Sequence, residues 1–363
     1  MTDLVQCIQC HSSYPKDGLP FLCTSCSGVY DLAELPSYRA DRVHREMPGI
    51  WKYQDTFGTD VDPSQIYLGE GDTALVWDTY QGKSISYKLE YQNPSGSYKD
   101  RATAVLAAEL VSRGIKEAVE DSSGNAGASF AAYAARTNIR ANIYVPASAS
   151  GPKRRQIEMY GANIIPVDGP RSEAARQVRE AADRGMAYAS HAYLPFGMLG
   201  IATIAYELLE QVQGQIGTVI APVGHGSLFL GIIRGFQVLH AAGLLKEMPY
   251  MVGVQAANCS PVYNAYSHLD KASVEEPTIA EGVRVVAPVR GESILEHLTI
   301  NNGKIVAIGE ESILSSRSQM AARGIYVEPT SALVWSALRQ EFDTVVEPVI
   351  LICSGSGYKY SSQ

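Results

Sequence analysis

Asn93-Pro94-Ser95-Gly96-Ser97-Tyr98-Lys99-Asp100-Arg101 is the stretch from which the fold can be read. Ser86 to Tyr91 before it alternates and carries aromatics, the pattern of a short strand. Ala102 to Arg113 after it is rich in Ala and Leu at helical spacing, and Gly114 closes the run. A lysine therefore stands on a small-residue turn between a strand and a helix. Asn-Pro and Ser-Gly are turn dipeptides, and turns on a rigid scaffold display reactive groups. On this stretch alone, an ordinary solvated lysine is the simpler explanation.

Two further stretches repeat the arrangement. Glu117–Asp121 leads through Ser122-Ser123-Gly124-Asn125-Ala126-Gly127 into a helix expected over Ala128–Arg136. Thr218–Val223 leads through Gly224-His225-Gly226-Ser227 into a helix expected over Leu228–Leu239. In an open parallel sheet such turns collect at the carboxyl ends of the strands, where ligands bind. A glycine-rich turn that opens a helix presents backbone N–H groups to a phosphate. One lysine with two anion-ready turns points to a phosphorylated carbonyl cofactor held as a Schiff base.

Cys353-Ser354-Gly355-Ser356-Gly357-Tyr358-Lys359 completes a set. With the Asn93–Arg101 and Ser122–Gly127 runs it resembles three signatures of threonine synthase and, more broadly, of the tryptophan-synthase-β-like (fold type II) pyridoxal-phosphate enzymes. The likeness runs in consistent order from about Leu68 to Lys359. It implies a two-lobed α/β fold with parallel-rich sheets. Residues 49–85 and 206–363 would form a large cofactor lobe and residues 86–205 a small substrate lobe, preceded by a zinc-ribbon-like segment over 1–48. Homodimers are usual in that family.

The resemblance also implies roles. Lys99 would carry pyridoxal phosphate and, once substrate displaces it, move protons at the substrate's α and β carbons. Gly224, His225, Gly226, Ser227 and Leu228 would hold the cofactor phosphate, with His225 the variable residue of the loop. Asn125 would hydrogen-bond the ring oxygen, while Ser122, Ser123, Gly124 and Ala126 would line the substrate carboxylate. Ser354 would face the pyridine nitrogen; a neutral hydroxyl there moderates the ring as an electron sink, which suits elimination and replacement. Leu68-Gly69-Glu70-Gly71-Asp72-Thr73-Ala74-Leu75 is similar to the family's opening segment near the substrate.

One stretch departs from the family pattern. Threonine synthases carry an Asn-Ser pair and an Arg before Gly-Gln-Lys-Thr, groups that bind the substrate's phosphate. Here Ser190 to Thr203 keeps only Gly200 and Thr203 of these and contains neither Arg nor Lys. Charge-assisted contacts carry much of phosphate recognition. Either other basic residues such as Lys153, Arg154 and Arg155 take over, or the substrate is not a phosphoester. Threonine synthase chemistry heads the expected reactions, O-phosphohomoserine and water giving threonine and phosphate. An ammonia-lyase or dehydratase, or a β-replacement synthase, follows; a non-catalytic binding protein on an old enzyme fold is the alternative of another class, and Lys99 speaks against it.

Cys7-Ile8-Gln9-Cys10 and Cys23-Thr24-Ser25-Cys26 are two C-x-x-C pairs with twelve residues between them. This is a metal-knuckle pattern, four thiolates meeting one structural zinc, and the alternative of two disulfides is disfavoured in a reducing compartment. Some threonine synthases carry a similar ribbon. No G-x-x-x-x-G-K-[ST] sequence is present, and Gly224-x-Gly226 lacks the third glycine of a dinucleotide fingerprint.

The 363-residue chain is long enough for two lobes and has the balance of an ordinary globular protein, 46% hydrophobic and 19% charged. A formal net charge of −8 argues against nucleic acid or an anionic membrane as partner. No run approaches a membrane span, and Met1-Thr2-Asp3-Leu4 lacks a signal-peptide pattern. The expectation is a cytoplasmic enzyme acting on a small amino-acid substrate.

Overall fold

The computed structural model describes residues 2–269 and 276–360. In chain order the N-terminal elements are β1 (Val5–Cys7), β2 (Tyr30–Leu32), β3 (Leu75–Tyr80), β4 (Lys83–Lys88) and α1 (Lys99–Ser112). Next come β5 (Glu117–Glu120), α2 (Asn125–Arg136), β6 (Arg140–Pro146), α3 (Pro152–Met159), β7 (Asn163–Val167), α4 (Arg171–Asp183), β8 (Ala187–Tyr188) and α5 (Gly197–Val212). After these follow β9 (Thr218–Pro222), α6 (Ser227–Ala241), β10 (Tyr250–Ala256), α7 (Pro261–Tyr266) and α8 (Gly291–Ile300). Last are β11 (Lys304–Ile308), α9 (Glu310–Ala322), α10 (Pro329–Gln340) and β12 (Val349–Ile352).

The chain divides into two compact units, residues 2–71 with 99–200 and residues 72–98 with 201–360. The boundaries differ from the expected 48, 85 and 205 for local reasons. Ile50 N–H donates to Glu70 O at 3.1 Å, and the Tyr133 hydroxyl donates to Glu70 Oε2 at 2.7 Å, so residues 49–71 belong to the first unit. β4 pairs in parallel with β12 from Ile85 to Lys88, which places residues 83–88 in the second.

In the first unit, β7-β6-β5-β8 form a four-stranded parallel sheet. Its core gathers Leu106 and Leu110 of α1, Ala128, Phe130, Ala131 and Ala134 of α2, and Ile143 and Val145 of β6. The same core takes in Tyr14 and Tyr30 of the N-terminal segment, whose β1 and β2 pair antiparallel. Tyr14 packs edge-on against Tyr30 and Phe196 with ring centroids 4.6 and 5.1 Å apart. Arg113 lies over Tyr14 and donates to the carbonyls of Pro15, Lys16 and Gly18, holding the segment to the end of α1.

In the second unit the order is β11-β10-β9-β12-β4-β3, parallel except for β3, which runs antiparallel to β4. β9 and β12 are buried along their whole length, as continuous apolar runs such as Val349-Ile350-Leu351-Ile352 require in a sheet covered on both faces. Trp335 of α10 is buried against Tyr80 and Tyr87.

Expected and observed elements agree in kind, with shifts at their ends. The helix after the first turn begins at Lys99 rather than Ala102, and the preceding strand ends at Lys88 because Glu90–Gln92 is a 3-10 turn. β1, β2, β3, β11 and α8 were not expected. No helix among the described residues is long and apolar enough to cross a membrane.

Candidate active site

Lys99 is the first residue of α1 and Asn125 the first of α2, so each stands where a parallel-sheet unit turns from loop to helix. The two helices are coupled just behind these positions. Ser129 of α2 donates to Asp100 Oδ1 at 2.6 Å and approaches Thr103 Oγ1 at 2.7 Å, all three being buried. Asp100 and Arg101 are both fully buried. The loop before α2 is drawn onto the helix: a Cβ at Gly127 would fall on the Ser122 carbonyl oxygen, so only glycine fits. Gly124 N–H donates to Ser122 Oγ at 3.2 Å, folding the Ser122–Gly124 backbone into a tight turn.

In the second unit the chain after β9 turns through Gly224, His225 and Gly226 into α6. Gly226 caps the helix at φ +105°, and a Cβ there would approach Ile294 Cδ1 to 2.8 Å. No side chain caps α6, and its opening bond runs from Leu230 N–H to Gly226 O at 2.9 Å. The first-turn N–H groups, Ser227 and Leu228 included, therefore point out of the helix end. β9 and β12 are neighbours, while β10 and β11 extend the sheet on the other side of β9. The Gly224 loop and the loop after β12, which carries Ser354, thus flank the point where strand order reverses.

Ser354 is buried and its hydroxyl lies 3.0 Å from that of Ser331, at the head of α10. Tyr98 N–H donates to Ser354 O at 3.0 Å, Ser356 N–H donates to Gly96 O, and Lys359 Nζ donates to Ser95 O at 2.7 Å. The Asn93–Tyr98 and Cys353–Lys359 runs, far apart in sequence, are bonded to each other, and Lys99 follows directly on Tyr98. Asn93 itself is fixed by Glu90, whose Oε2 accepts from Asn93 Nδ2 at 3.0 Å. A second lysine, Lys88, is fully buried, but Glu207 Oε2 lies 2.6 Å from its Nζ and Thr73 O and Gln211 Oε1 accept from it too. That engagement makes Lys88 a structural cation.

Sequence reasoning missed Ser331, Glu120 and His191. Glu120 is the last residue of β5, and its Oε1 lies 2.7 Å from His191 Nδ1. Burial, then the neighbouring Asp121 charge, pushes the Glu120 carboxyl well above the usual range. Asp121 Oδ1 accepts from the Tyr188 hydroxyl at 2.7 Å. The apolar surroundings of Glu120 in Ala118-Val119-Glu120 were the one available signal.

The sulfurs of Cys7, Cys10, Cys23 and Cys26 all lie within 4.8 Å of one another. Cys7 Sγ is 3.5 Å from Cys26 Sγ and Cys10 Sγ 3.6 Å from Cys23 Sγ. Four sulfurs at ~2.3 Å from one tetrahedral ion stand about 3.8 Å apart, so the cluster has the dimensions of a zinc site built from four thiolates.

The residues present also suit a phosphorylated carbonyl cofactor. The uncapped α6 end is a phosphate-type donor set, and Ser97 Oγ, two residues before Lys99, is buried without a hydrogen-bond partner.

Comparison with known proteins gives a family. Residues 66–355 match the family described as pyridoxal-phosphate dependent enzyme. Threonine synthase of Methanocaldococcus jannaschii is 28% identical over 376 residues, which span 98% of this chain and 93% of that protein. Threonine synthase of Mycobacterium leprae is 31% identical over 330 residues, 87% of this chain and 90% of that one. Among solved structures, maize serine racemase aligns with a TM-score of 0.69 at 21% identity, covering 78% of this chain and 88% of its own. A threonine deaminase of T.th. aligns with a TM-score of 0.65 at 22% identity, covering 77% of this chain and 90% of its own. At such identities the structural likeness speaks to the fold, which is that of fold type II.

Proposed function

The chain belongs to the pyridoxal-phosphate-dependent enzymes, and from that membership we propose that it eliminates or replaces a leaving group on an amino-acid substrate. Threonine synthase chemistry is the first reading, because both curated relatives named above are threonine synthases. Pyridoxal phosphate, when bound, supplies an electron sink for charge developing on the substrate's carbons. Lys99 would hold that cofactor covalently, and its free amine would carry protons at the substrate's α and β carbons. Gly224, His225, Gly226, Ser227 and Leu228 bind its phosphate through the donors at the head of α6. Asn125 would hydrogen-bond the cofactor's ring oxygen, and Ser354, whose hydroxyl is 3.0 Å from that of Ser331, would face the ring nitrogen. Ser122, Ser123, Gly124 and Ala126 receive the substrate carboxylate at the head of α2. Cys7, Cys10, Cys23 and Cys26 bind a structural zinc; four protein sulfurs leave it no open position for chemistry.

The observation that carries the reading is the bonding of the Asn93–Tyr98 run to the Cys353–Lys359 run, with Lys99 next in the chain. A second reading, a dehydratase or ammonia-lyase of a non-phosphorylated amino acid, is favoured by the absence of Lys and Arg from Ser190–Thr203. Purified protein given pyridoxal phosphate should acquire the visible absorbance of lysine-bound cofactor and lose it in Lys99→Ala. A wild type that stays colourless at saturating cofactor refutes the proposal and favours a binding protein. Phosphate release from O-phosphohomoserine, set against ammonia release from serine, threonine or 2,3-diaminopropionate, separates the two enzyme readings.

A further inference from the structure

Glu120 ends β5 and His191 lies three residues beyond β8. The sheet order β7-β6-β5-β8 reverses between these strands: the chain steps from β5 outward to β6 and β7, then returns to the other flank of β5. Loops that leave the strands at such a point diverge and open a crevice. The Ser122–Gly127 run leaves β5 there, and the His191 loop leaves β8 there.

His191 Nδ1 is 2.7 Å from Glu120 Oε1, with the carboxylate side chain 1% and the imidazole 13% exposed. Glu120 Oε2 is buried and makes no hydrogen bond. A carboxylate with one bare oxygen in such a place cannot keep its charge unless its partner is cationic. The pair therefore shares a proton, and only the imidazole reaches accessible space. A buried carboxyl that orients an imidazole in this way makes it a proton carrier. Asp121 beside Glu120, Lys99 at the head of α1 and Arg171 at the head of α4 supply the other charges acting on the carboxyl.

We infer that His191 is a catalytic acid that protonates a hydroxyl or amino leaving group of the substrate, with Glu120 its positioning residue. The inference rests on the second reading above, the dehydratase or ammonia-lyase, and sets it against the first: its substrates are non-phosphorylated hydroxy- or amino-bearing amino acids. Hydroxide and amide are poor leaving groups and need a proton; phosphate departs as a stable anion and needs cations, which Ser190–Thr203 lacks. In the step, the bond from side-chain carbon to oxygen or nitrogen breaks with both electrons going to the heteroatom. That atom takes the His191 proton and leaves as water or ammonia. The α proton passes to the Lys99 amine, and its electron pair forms the new carbon–carbon double bond. Lys99 then releases a proton to solvent and His191 recovers one.

The test uses cofactor-loaded wild type, His191→Asn and Glu120→Gln with serine, threonine, 2,3-diaminopropionate, β-chloroalanine and O-phosphohomoserine. Loss of a general acid lowers kcat about 10²- to 10⁴-fold. His191→Asn should show that loss on the hydroxy or amino substrate with KM little changed, yet stay within a few-fold of wild type on β-chloroalanine, whose chloride leaves without a proton. Glu120→Gln should move the NMR titration of the His191 ring to lower pH and shift the pH–rate profile with it. Equal loss on β-chloroalanine, a preference for O-phosphohomoserine that His191→Asn leaves intact, or an unmoved His191 titration each overturns the inference. Failure to take up cofactor would show at once in the absorbance and would sink the parent reading with it, whereas the titration judges the pair by itself.

Discussion

Replacing Lys88 tests which lysine serves chemistry and which serves the fold. Lys88 Nζ and Glu207 Oε2 are 2.6 Å apart with side chains 0% and 2% exposed. Lys88→Met removes the cation from beside the buried Glu207 carboxylate, whose Oε1 still accepts from the Asp72 N–H at 2.9 Å. Removing one partner of a buried pair costs about 3–5 kcal/mol. For a unit of 150–250 residues, each kcal/mol moves the melting temperature by roughly 2–4 °C, so a fall of about 6–20 °C is expected. In Lys88→Met/Glu207→Leu the orphaned charge is gone; the Asp72 N–H loses its Glu207 acceptor and Gln211 Oε1 its Lys88 donor, while Thr73 O keeps the Gln211 Nε2 donor at 2.9 Å. Replacing a whole buried ion pair by apolar side chains of similar size is often neutral in stability, so the double variant should be more stable than the single one. Both variants should still develop the visible band with pyridoxal phosphate. Denaturant titration gives the cycle and absorbance gives the cofactor. A single variant costing under about 1 kcal/mol, or a double variant that folds yet stays colourless with cofactor, would refute the assignment of Lys88 to structure.

Gly226→Ala forces a side chain to φ +105° against Ile294, at a strain of about 1–2 kcal/mol. If the loop distorts to relieve it, pyridoxal phosphate should bind roughly 5- to 30-fold more weakly in a fluorescence titration of apoprotein, and unchanged affinity would argue against a phosphate site at α6. Metal analysis of protein purified without chelator should find about one zinc per chain, and stripping it should lower the melting temperature, since Tyr14 and Tyr30 sit in the first unit's core. Substoichiometric zinc, or no thermal change on stripping, would count against the ribbon. The Glu120 carboxyl holds its proton to higher pH in the folded chain than in the unfolded one, where it titrates near ~4.3. Its contribution to stability is then complete below that value and fades as pH rises through the folded one. Measured by melting from pH 4 to 9, the stability of wild type relative to Glu120→Gln should decline with pH; a flat difference would mean the burial does not act as described.

The strand–loop–helix units were legible in the sequence because their signals are local. Lys99, Asn125 and Ser227 each open a helix after a turn of small residues, and backbone sterics decide such turns within a few positions. The cysteine knuckles were legible for the same reason. Partner choice was not. Glu120 and His191 are 71 residues apart, and Lys88 and Glu207 are 119 apart. In the sequence each is an ordinary charged residue; only the strand order of the two sheets sets them side by side and removes water from between them. A carboxyl's charge, and hence its chemistry, depends on that loss of solvent and on which donor replaces it. Local sterics wrote the turns, and the tertiary fold chose which acid meets which base.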